Sequence, residues 1–330
     1  MNSLAPLLQE FFTSYLTGQR GASPATIRTY RDTWRLFLDY LVTQTATAAY
    51  RLDLSDIDEQ CVIAFLDHLE HERGNAVSTR NLRLAGIKAA LAFSAHRTPE
   101  HLNRIARIQS IPIKRTTRPQ IAYLHDDELQ ALLDAIDTNT WTGRRDMAMF
   151  ALAAQTGLRI SEITSLTLTS LHLTHGAAHV SCEGKGRKQR TTPLTLTIAS
   201  LMRQYLPERA IRPGTALFPN RSGSTLSPDA VAHRLATHLE RARRACPGLQ
   251  AKHVTVHTLR HTAAMRFLQA GIDTSVIALW LGHESPATTS IYLHADQTLK
   301  QRALQRTSQP DATLTQFQSD DPLLAWLEAL

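Results

Sequence analysis

Two histidines and two arginines lie in one short segment, HTLRHTAAMRF at residues 257–267, among small and apolar residues. His257 and His261 are four residues apart, a spacing that puts both on one face of a helix and matches the first half of a zinc site. The metalloprotease pattern requires Glu where this chain has Thr258, and the fixed charge of Arg260 would repel a cation. We therefore predict that the segment holds no metal.

A phosphate suits the same segment better than a metal does. His257 and Arg260 are three residues apart, so a helix presents them on the same side. Arginine can grip two phosphate oxygens at once, and histidine can give or take a proton near neutral pH. Taken alone, however, the pair fits a capping histidine and a salt-bridged arginine better than it fits a reaction centre.

Two glycine turns carry further polar residues of the same kind. In TGLRISE, residues 156–162, Arg159 follows Gly157 at the start of a helix, where the helix dipole opposes a purely structural cation. Glu162 lies three residues later and is placed to brace that arginine. In LGHES, residues 281–285, His283 follows the second glycine.

A lysine and a tyrosine complete the set of candidates. The segment AAHVSCEGKGRKQRTTPLT, residues 177–195, predicts a β-hairpin with Lys185 at its tip and Lys188 three residues further on. The segment TTSIYLHAD, residues 288–296, places Tyr292 in a helix whose predicted N-cap is Ser285. Each of these features is common in proteins, but their combination in this order is not.

In residue type, order and context, this series resembles the tyrosine recombinase (phage-integrase) family, and the resemblance covers nearly the whole chain. Six positions match the family's catalytic set, namely Arg159, Lys185, His257, Arg260, His283 and Tyr292. The resemblance implies a site-specific DNA recombinase or integrase that cuts and rejoins DNA strands, for integration, transposition or resolution of DNA elements. It implies double-stranded DNA as the partner, and a homo-oligomer (a tetramer in the synaptic complex) or a hetero-oligomer with related recombinases.

The resemblance also implies a role for the tyrosine and the two arginines. Tyr292 attacks the scissile phosphodiester and forms a 3′-phosphotyrosyl bond, so the energy of the broken bond is conserved and the strand can be resealed. Arg159 and Arg260 clamp the non-bridging oxygens and stabilise the charge that develops at phosphorus. No cofactor follows from this chemistry.

The remaining roles are implied in the same way. Lys185 protonates the leaving 5′-oxygen, with Lys188 as a DNA contact and the next candidate for the acid. His257 is the acid–base partner, and His283 donates a hydrogen bond to the phosphate. Glu162 is expected to bind Arg159 and hold it in place without touching the phosphate. For His261 and Arg266, packing within the helix and contact with backbone phosphates are better interpretations than catalysis.

Two alternatives to recombination stay open at the sequence level. A type IB topoisomerase would use the same chemistry on a single duplex, and a silent DNA-binding regulator would keep the helices without the reaction. The spacing of the basic residues and the helical N-terminal part favour recombination. The presence of Tyr292 argues against a regulator, because a binding protein needs no phenol at that position.

The elements that must position these residues fall into two predicted domains and a tail. Residues 1–115 predict a SAM-like helical core-binding domain, residues 116–306 an α+β tyrosine-recombinase catalytic domain, and residues 307–330 a C-terminal tail. The fold class is therefore mainly α with a small β-hairpin or sheet. The tail ends in the apolar stripe of DPLLAWLEAL, which can dock on its own domain or on a neighbouring protomer.

Helix signals are clearest in the first domain. SPATIRTYRDTWRLFLDYLV has Ser23 as a candidate N-cap and Pro24 at the first helical position, followed by an apolar stripe. The segment from Ser78 predicts a helix with Leu82 among its inward residues. Its opposite face carries basic residues that are either solvated or in contact with DNA, namely Arg80, Arg83 and Lys88.

Basic residues concentrate in the second domain. The chain carries a net charge of +7, and residues 176–266 alone hold 15 Lys and Arg against four Asp and Glu. Such a segment predicts a surface for a polyanion. Candidate DNA contacts lie in the segment between Pro112 and Pro119 and on the helix PDAVAHRLATHLERARRA, namely Lys114, Arg115, Arg234, Arg241 and Arg244.

Other features exclude several classes of protein. No apolar run approaches the length needed to span a bilayer, and the N-terminus lacks the features of a signal peptide. The three cysteines make no metal-type spacing and are expected to be reduced thiols. We therefore expect a protein with no membrane partner, and the resemblance to tyrosine recombinases implies a bacterial cytoplasmic, nucleoid-associated location.

Overall fold

The chain forms two units, residues 1–119 and residues 120–330, each with its own apolar core. The computed structural model describes residues 4–116, 121–174, 176–184, 189–282 and 289–295. Among these residues, no helix combines the length and the apolar content that crossing a membrane requires. The architecture is mainly helical with one small antiparallel sheet, which confirms the predicted fold class.

The N-terminal unit is a helical bundle. Its α-helices are α1 (Leu4–Glu10), α2 (Pro24–Thr45), α3 (Glu59–Asp67), α4 (Val77–Ala95) and α5 (Leu102–Ser110). Wider π-helical turns extend α1 and α3, at Phe11–Gln19 and His68–Glu72, and short 3₁₀ turns lie at Ala49–Arg51, Leu54–Asp56 and Pro99–His101. The predicted start of α2 is confirmed, because the Ser23 hydroxyl accepts a hydrogen bond from the Thr26 N–H and Pro24 is the first helical residue. The helix buries Trp34, Phe37 and Leu41.

Helix α4 corrects one sequence prediction. Arg80, predicted to face solvent, is 4% exposed, whereas Leu82, predicted to face inward, is 47% exposed. The reason is that α4 packs against α2, α3 and α5 together, so it has no wide solvent face. Charged side chains on such a helix must find internal partners.

Those partners are mainly carbonyl oxygens of the same unit. Arg80 donates to the Pro112 carbonyl at 3.1 Å, and Arg83 donates to the Thr29 carbonyl at 3.3 Å. Lys88 donates to the carbonyls of Gln109 and Ile111, both at 2.7 Å, and burial lowers the pKa of its ammonium group. The predicted solvent-facing basic surface is therefore wrong for this helix, and the three side chains tie α4 to its neighbours.

The C-terminal unit surrounds a three-stranded antiparallel sheet with helices. Its elements are α6 (Asp126–Asp134), α7 (Trp141–Thr156), α8 (Ile160–Ser165), β1 (Leu171–His172), β2 (His179–Glu183), β3 (Gln189–Pro193), α9 (Leu196–Ala210), α10 (Pro228–Ala245), α11 (Val256–Gln269), α12 (Thr274–Leu281) and α13 (Ser290–Ala295), with 3₁₀ turns at Leu168–Ser170 and Pro247–Leu249. The strands lie in the order β1-β2-β3, with Val180 opposite Leu171 on one side and Thr192 on the other. The predicted hairpin is β2 and β3, and residues 185–188 between them lie outside the described residues.

Helix α7 is the centre of this unit. It packs against α6, α9 and α11, and most of its residues are buried. A helix buried on several sides needs any charge on it to be paired, and Asp146 is the main case. Its carboxylate is fully buried and accepts hydrogen bonds from Arg145, Arg234 and His238, with the closest contacts at 2.7, 2.5 and 2.9 Å. Arg234, a candidate DNA contact in the sequence, therefore has its guanidinium bound to Asp146.

The Asp146 network has a defined effect on stability. Burial by itself would raise the pKa of Asp146, but the His238 hydrogen bond and the Arg145 charge more than offset it, so its pKa is lowered. A carboxyl whose pKa is depressed in the folded state stabilises the fold above its unfolded pKa of about 3.9. That contribution is lost as the pH falls through the folded value.

We predict that Asp146→Asn lowers the melting temperature of the C-terminal unit by about 10 °C near pH 7. Removing one member of a buried ionic network costs about 3–5 kcal/mol, and each kcal/mol shifts the melting temperature of a domain of this size by about 2–4 °C. The difference from wild type should shrink as the pH falls below about 4. Thermal unfolding of both proteins, near pH 7 and below about pH 4, measures this difference in melting temperature.

The exposed ion pair of Glu240 and Arg243 on α10 provides the control. Glu240→Gln should change stability by less than about 1 kcal/mol at either pH. Equal shifts in the two variants, or a difference that does not narrow in acid, would contradict the role given to Asp146.

Candidate active site

Gly157 ends α7 and sets the geometry of the site. It has φ +65°, the left-handed conformation that favours glycine, and its N–H donates to the Ala153 carbonyl at 2.9 Å. A Cβ added there would lie 2.5 Å from Leu281 Cδ2 and 3.3 Å from Ala263 Cβ. The missing side chain therefore allows the end of α7 to approach α11 and α12 closely.

Arg159 lies directly after this turn, as the N-cap residue of α8. Its backbone N–H donates to Glu162 Oε2 at 2.7 Å, and its Nη1 donates to Glu162 Oε1 at 2.8 Å. Its Nη2 donates to the Gly282 carbonyl at 3.0 Å. The expected contact between Arg159 and Glu162 is thus present, and it leaves the arginine side chain 30% exposed at the surface.

Glu162 binds a second guanidinium that the sequence analysis did not identify. Its side chain is 3% exposed, and Oε2 accepts a hydrogen bond of 2.8 Å from Nη2 of Arg190 on β3. One buried carboxylate therefore links the start of α8 to the sheet. Arg190 also packs against Gly282, where an added Cβ would lie 2.6 Å from its Nη1.

Arg260, on α11, is fixed by the same two glycine turns. It is 2% exposed, its Nη1 donates to the Gly157 carbonyl at 2.6 Å, and its Nη2 donates to the Leu281 carbonyl at 2.8 Å. Burial and the charge of Arg159 lower the pKa of Arg260 to about 10, so it stays protonated near neutral pH. The Leu281 and Gly282 carbonyls end α12, where the helix dipole favours positive charge.

Tyr292, on α13, lies close enough to Arg159 and Arg260 for their charges to affect its pKa. It is 1% exposed, and burial raises its pKa, while the charges of Arg260 and Arg159 act in the opposite direction. Its hydroxyl shares a hydrogen bond of 3.0 Å with Nδ1 of His261. The rings of His257 and His261 meet edge to face, with the centroids 4.6 Å apart.

Most of the predicted site residues that the structure describes are thus brought together. Arg159, Glu162 and Arg260 meet around the two glycine turns, and His257 is close enough to them that desolvation and the charges of both arginines lower its pKa. Lys185, Lys188 and His283 lie outside the described residues. Arg266, expected to contact phosphates, pairs with Asp126 at 3.1 Å and is largely exposed.

Sequence reasoning missed two residues of this cluster. Arg190 lies two residues before the buried Thr192 and so on the same face of β3, which means that the period of the strand already indicated its inward direction. His261 was assigned to packing, and the structure shows that this assignment was incomplete, since its ring binds the Tyr292 hydroxyl. Its spacing from Tyr292 along the chain gave no signal of that contact.

The C-terminal unit thus holds a buried phenol and two guanidiniums anchored by backbone carbonyls, within a helical fold that contains a small antiparallel sheet. Residues 122–298 match the phage integrase family, and residues 9–98 match the phage integrase N-terminal SAM-like domain. The chain belongs to the phage integrase family.

Individual relatives agree with this assignment. The chain is 45% identical to the putative integrase/recombinase y4rC of Sinorhizobium fredii, over 99% of this chain and 98% of the relative. It is 31% identical to the tyrosine recombinase XerD of Lacticaseibacillus casei, over 86% and 92% respectively. The protein is therefore a site-specific DNA recombinase.

Solved structures share the fold. The XerH site-specific recombinase in a post-cleavage complex with its difH substrate gives a TM-score of 0.67 at 22% identity, covering 92% of this chain and 88% of that one. The Tn1549 transposon integrase in complex with transposon right-end DNA gives 0.69 at 14% identity, covering 92% and 98%.

We predict that Gly157→Ala impairs both stability and DNA cleavage. The left-handed conformation costs an alanine about 1–2 kcal/mol. The overlap with Cδ2 of Leu281 must also shift that fully buried side chain, which disturbs the packing around the turn that holds Arg260. A displacement of about 1 Å at a reacting centre can slow a reaction about 100-fold. Thermal unfolding and single-turnover cleavage measure the two effects.

Gly271→Ala is the matched control, because Gly271 has φ +82° and open space around its Cβ position. It should show the cost of the backbone conformation alone and leave the cleavage rate unchanged. If the two variants lose stability and activity equally, close packing at Gly157 does not position the site.

Proposed function

We propose that Tyr292 is the nucleophile that opens the scissile phosphodiester of double-stranded DNA. Oη forms a bond to phosphorus while the bond from phosphorus to the 5′-oxygen breaks, which leaves a 3′-phosphotyrosyl linkage and a free 5′-hydroxyl. Attack by that hydroxyl, or by the one from a second duplex, reverses the step and reseals the strand. The observation that carries the proposal is the place of the phenol: its hydroxyl shares a hydrogen bond with His261, the residue after Arg260, and its ring packs in one cluster with Leu281, whose carbonyl binds Arg260.

The two arginines supply the electrostatic stabilisation in this proposal. Guanidiniums fixed by backbone carbonyls are pre-organised, so little reorganisation is needed when negative charge develops on the non-bridging oxygens. Their positive charge takes the part that metal ions play in many phosphoryl transfer sites. We therefore propose a reaction that needs no cofactor.

Proton transfer completes the mechanism. The leaving 5′-oxygen takes a proton from Lys185, with Lys188 as the next candidate, and His257 is the acid–base partner that receives the phenolic proton. His283 donates a hydrogen bond to the phosphate. Exposure of His257 at the protein surface supports its access to a bound DNA strand.

Outside the reacting centre, we propose DNA contacts only for basic residues whose side chains are exposed. Arg115, Arg241 and Arg244 are exposed, and exposed Lys114 forms an ion pair with Glu70. Arg80, Arg83, Lys88 and Arg234 bind internal partners instead. We propose that the exposed group contributes sequence-independent contacts with phosphates.

Assembly follows from the reaction class. Exchange of strands between two duplexes needs four active sites, so we propose a tetramer in the synaptic complex, built from this chain alone or together with related recombinases. Residues 307–330 lie outside the described residues, and we propose that this tail docks on a neighbouring protomer. The place of action would be the bacterial nucleoid.

We predict that the enzyme forms a covalent adduct with a DNA substrate nicked next to the scissile phosphate, because the nick lets the short fragment that carries the freed 5′-hydroxyl diffuse away and so traps the intermediate. The adduct should survive denaturation and be absent with Tyr292→Phe, which lacks the attacking oxygen. Gel electrophoresis of labelled DNA measures it.

Tyr205→Phe is the matched control, since Tyr205 is another buried tyrosine of the same unit and its hydroxyl donates to the Leu217 carbonyl. It should form the adduct at the wild-type level. An adduct with Tyr292→Phe would overturn the assignment of the nucleophile. So would the absence of an adduct with both wild type and Tyr205→Phe on the correct site.

A further inference from the structure

The Tyr292 side chain is buried although it must reach DNA. It is 1% exposed and packs in a small apolar cluster between α11, α12 and α13, whose buried members include Ala264, Met265, Leu268, Ile277 and Leu281. A phosphodiester at the protein surface cannot contact a phenol in that position. The structure therefore shows a resting position, which Tyr292 must leave before it can attack.

One polar contact identified in that resting position comes from His261. Nδ1 of His261 and Oη of Tyr292 are 3.0 Å apart, and the two rings meet edge to face with centroids 5.6 Å apart. His261 is one turn of α11 beyond His257 and next to Arg260. The contact thus joins the helix that carries the basic residues to the helix that carries the nucleophile.

We propose that His261 is a positioning residue that holds the Tyr292 hydroxyl in its buried position while no DNA is bound. Release of this hydrogen bond is then one step in the activation of the enzyme on DNA. The inference rests on the proposed function of Tyr292 as the nucleophile.

The charge state of His261 supports this role. Burial, together with His257 and Arg260, lowers the pKa of His261 to about 4, so the ring is neutral near pH 7. A neutral ring shares a hydrogen bond with the phenol in either tautomer. It also adds no third positive charge beside Arg159 and Arg260, so the phenol is kept protonated at rest.

Chemical modification of the DNA-free protein tests the proposal. Tetranitromethane nitrates accessible tyrosines, and peptide mass mapping reports each site separately. His261→Leu removes the hydrogen bond, so a larger fraction of the molecules should have Tyr292 outside its buried position. Nitration of Tyr292 should therefore rise about fivefold, the change in an equilibrium that the free energy of an ordinary hydrogen bond produces. His261→Asn places an amide where Nδ1 lies, and nitration should stay within about twofold of wild type.

Two comparisons separate a local release from general loosening. Tyr205 is the internal reference, because it is 4% exposed and its hydroxyl is bonded to a carbonyl. Its nitration should be unchanged in every variant. His261→Gln carries the amide one bond further out and should behave like His261→Leu, so equal nitration of Tyr292 in the Gln and Asn variants would overturn the proposal.

Cleavage kinetics distinguish holding from catalysis. With saturating nicked DNA in a single turnover, His261→Leu should cleave at least as fast as wild type, since the bond acts before the chemical step. A loss of more than about tenfold would place His261 in the chemical step and overturn the resting role. Nitration needs no DNA, so its outcome stays separate from the adduct test of Tyr292 itself.

Discussion

Positive charge held inside the protein is the constraint on which the C-terminal unit depends. Arg159 and Arg260 repel each other, and burial of Arg260 removes the water that would otherwise stabilise its charge. The unit compensates with Glu162, which binds Arg159 directly, and with the carbonyls of Gly157, Leu281 and Gly282. Without these partners the two guanidiniums could not stay together in the absence of a phosphate.

The same compensation explains the arrangement of the helices. Arg260 is bound at the ends of both α7 and α12, and Arg159 at the end of α12, where carbonyls have no partner within the helix. Two glycines in the left-handed conformation turn the chain at these ends, so α7, α8, α11 and α12 must meet at one place. Arg190 extends the network to β3, and through Glu162 it connects the sheet with Arg159. A phosphate would enter a site whose donors are already positioned, which is the condition for electrostatic catalysis.

Local features of the sequence were sufficient for part of this structure. The Ser23 cap, the Gly157 turn and the β2–β3 pairing depend on neighbours within a few residues, and each was predicted. The contact between Arg159 and Glu162 is also local, since it spans three residues. By contrast, the two-residue strand β1 carries too short a pattern to be recognised.

Features that depend on distant parts of the chain were missed. Arg80 and Leu82 were placed on the wrong faces because α4 is covered by three helices, and a single apolar stripe does not describe such a helix. His261 contacts a residue 31 positions away, and Arg190 contacts one 28 positions away. The sequence indicated which residue types the chemistry needs, while tertiary packing determined which of them meet.

The proposed mechanism requires that Arg159 and Arg260 serve the reaction through their charge. A substrate with a methylphosphonate at the scissile position tests it most directly, because its phosphorus carries one negative charge fewer than a phosphodiester. Arg159→Ala should slow single-turnover cleavage of the phosphodiester about 100- to 1000-fold, the loss typical of removing one such donor. On the methylphosphonate the same variant should lose about tenfold or less relative to wild type. An equal loss on both substrates would contradict the claim and would give Arg159 a role in structure alone.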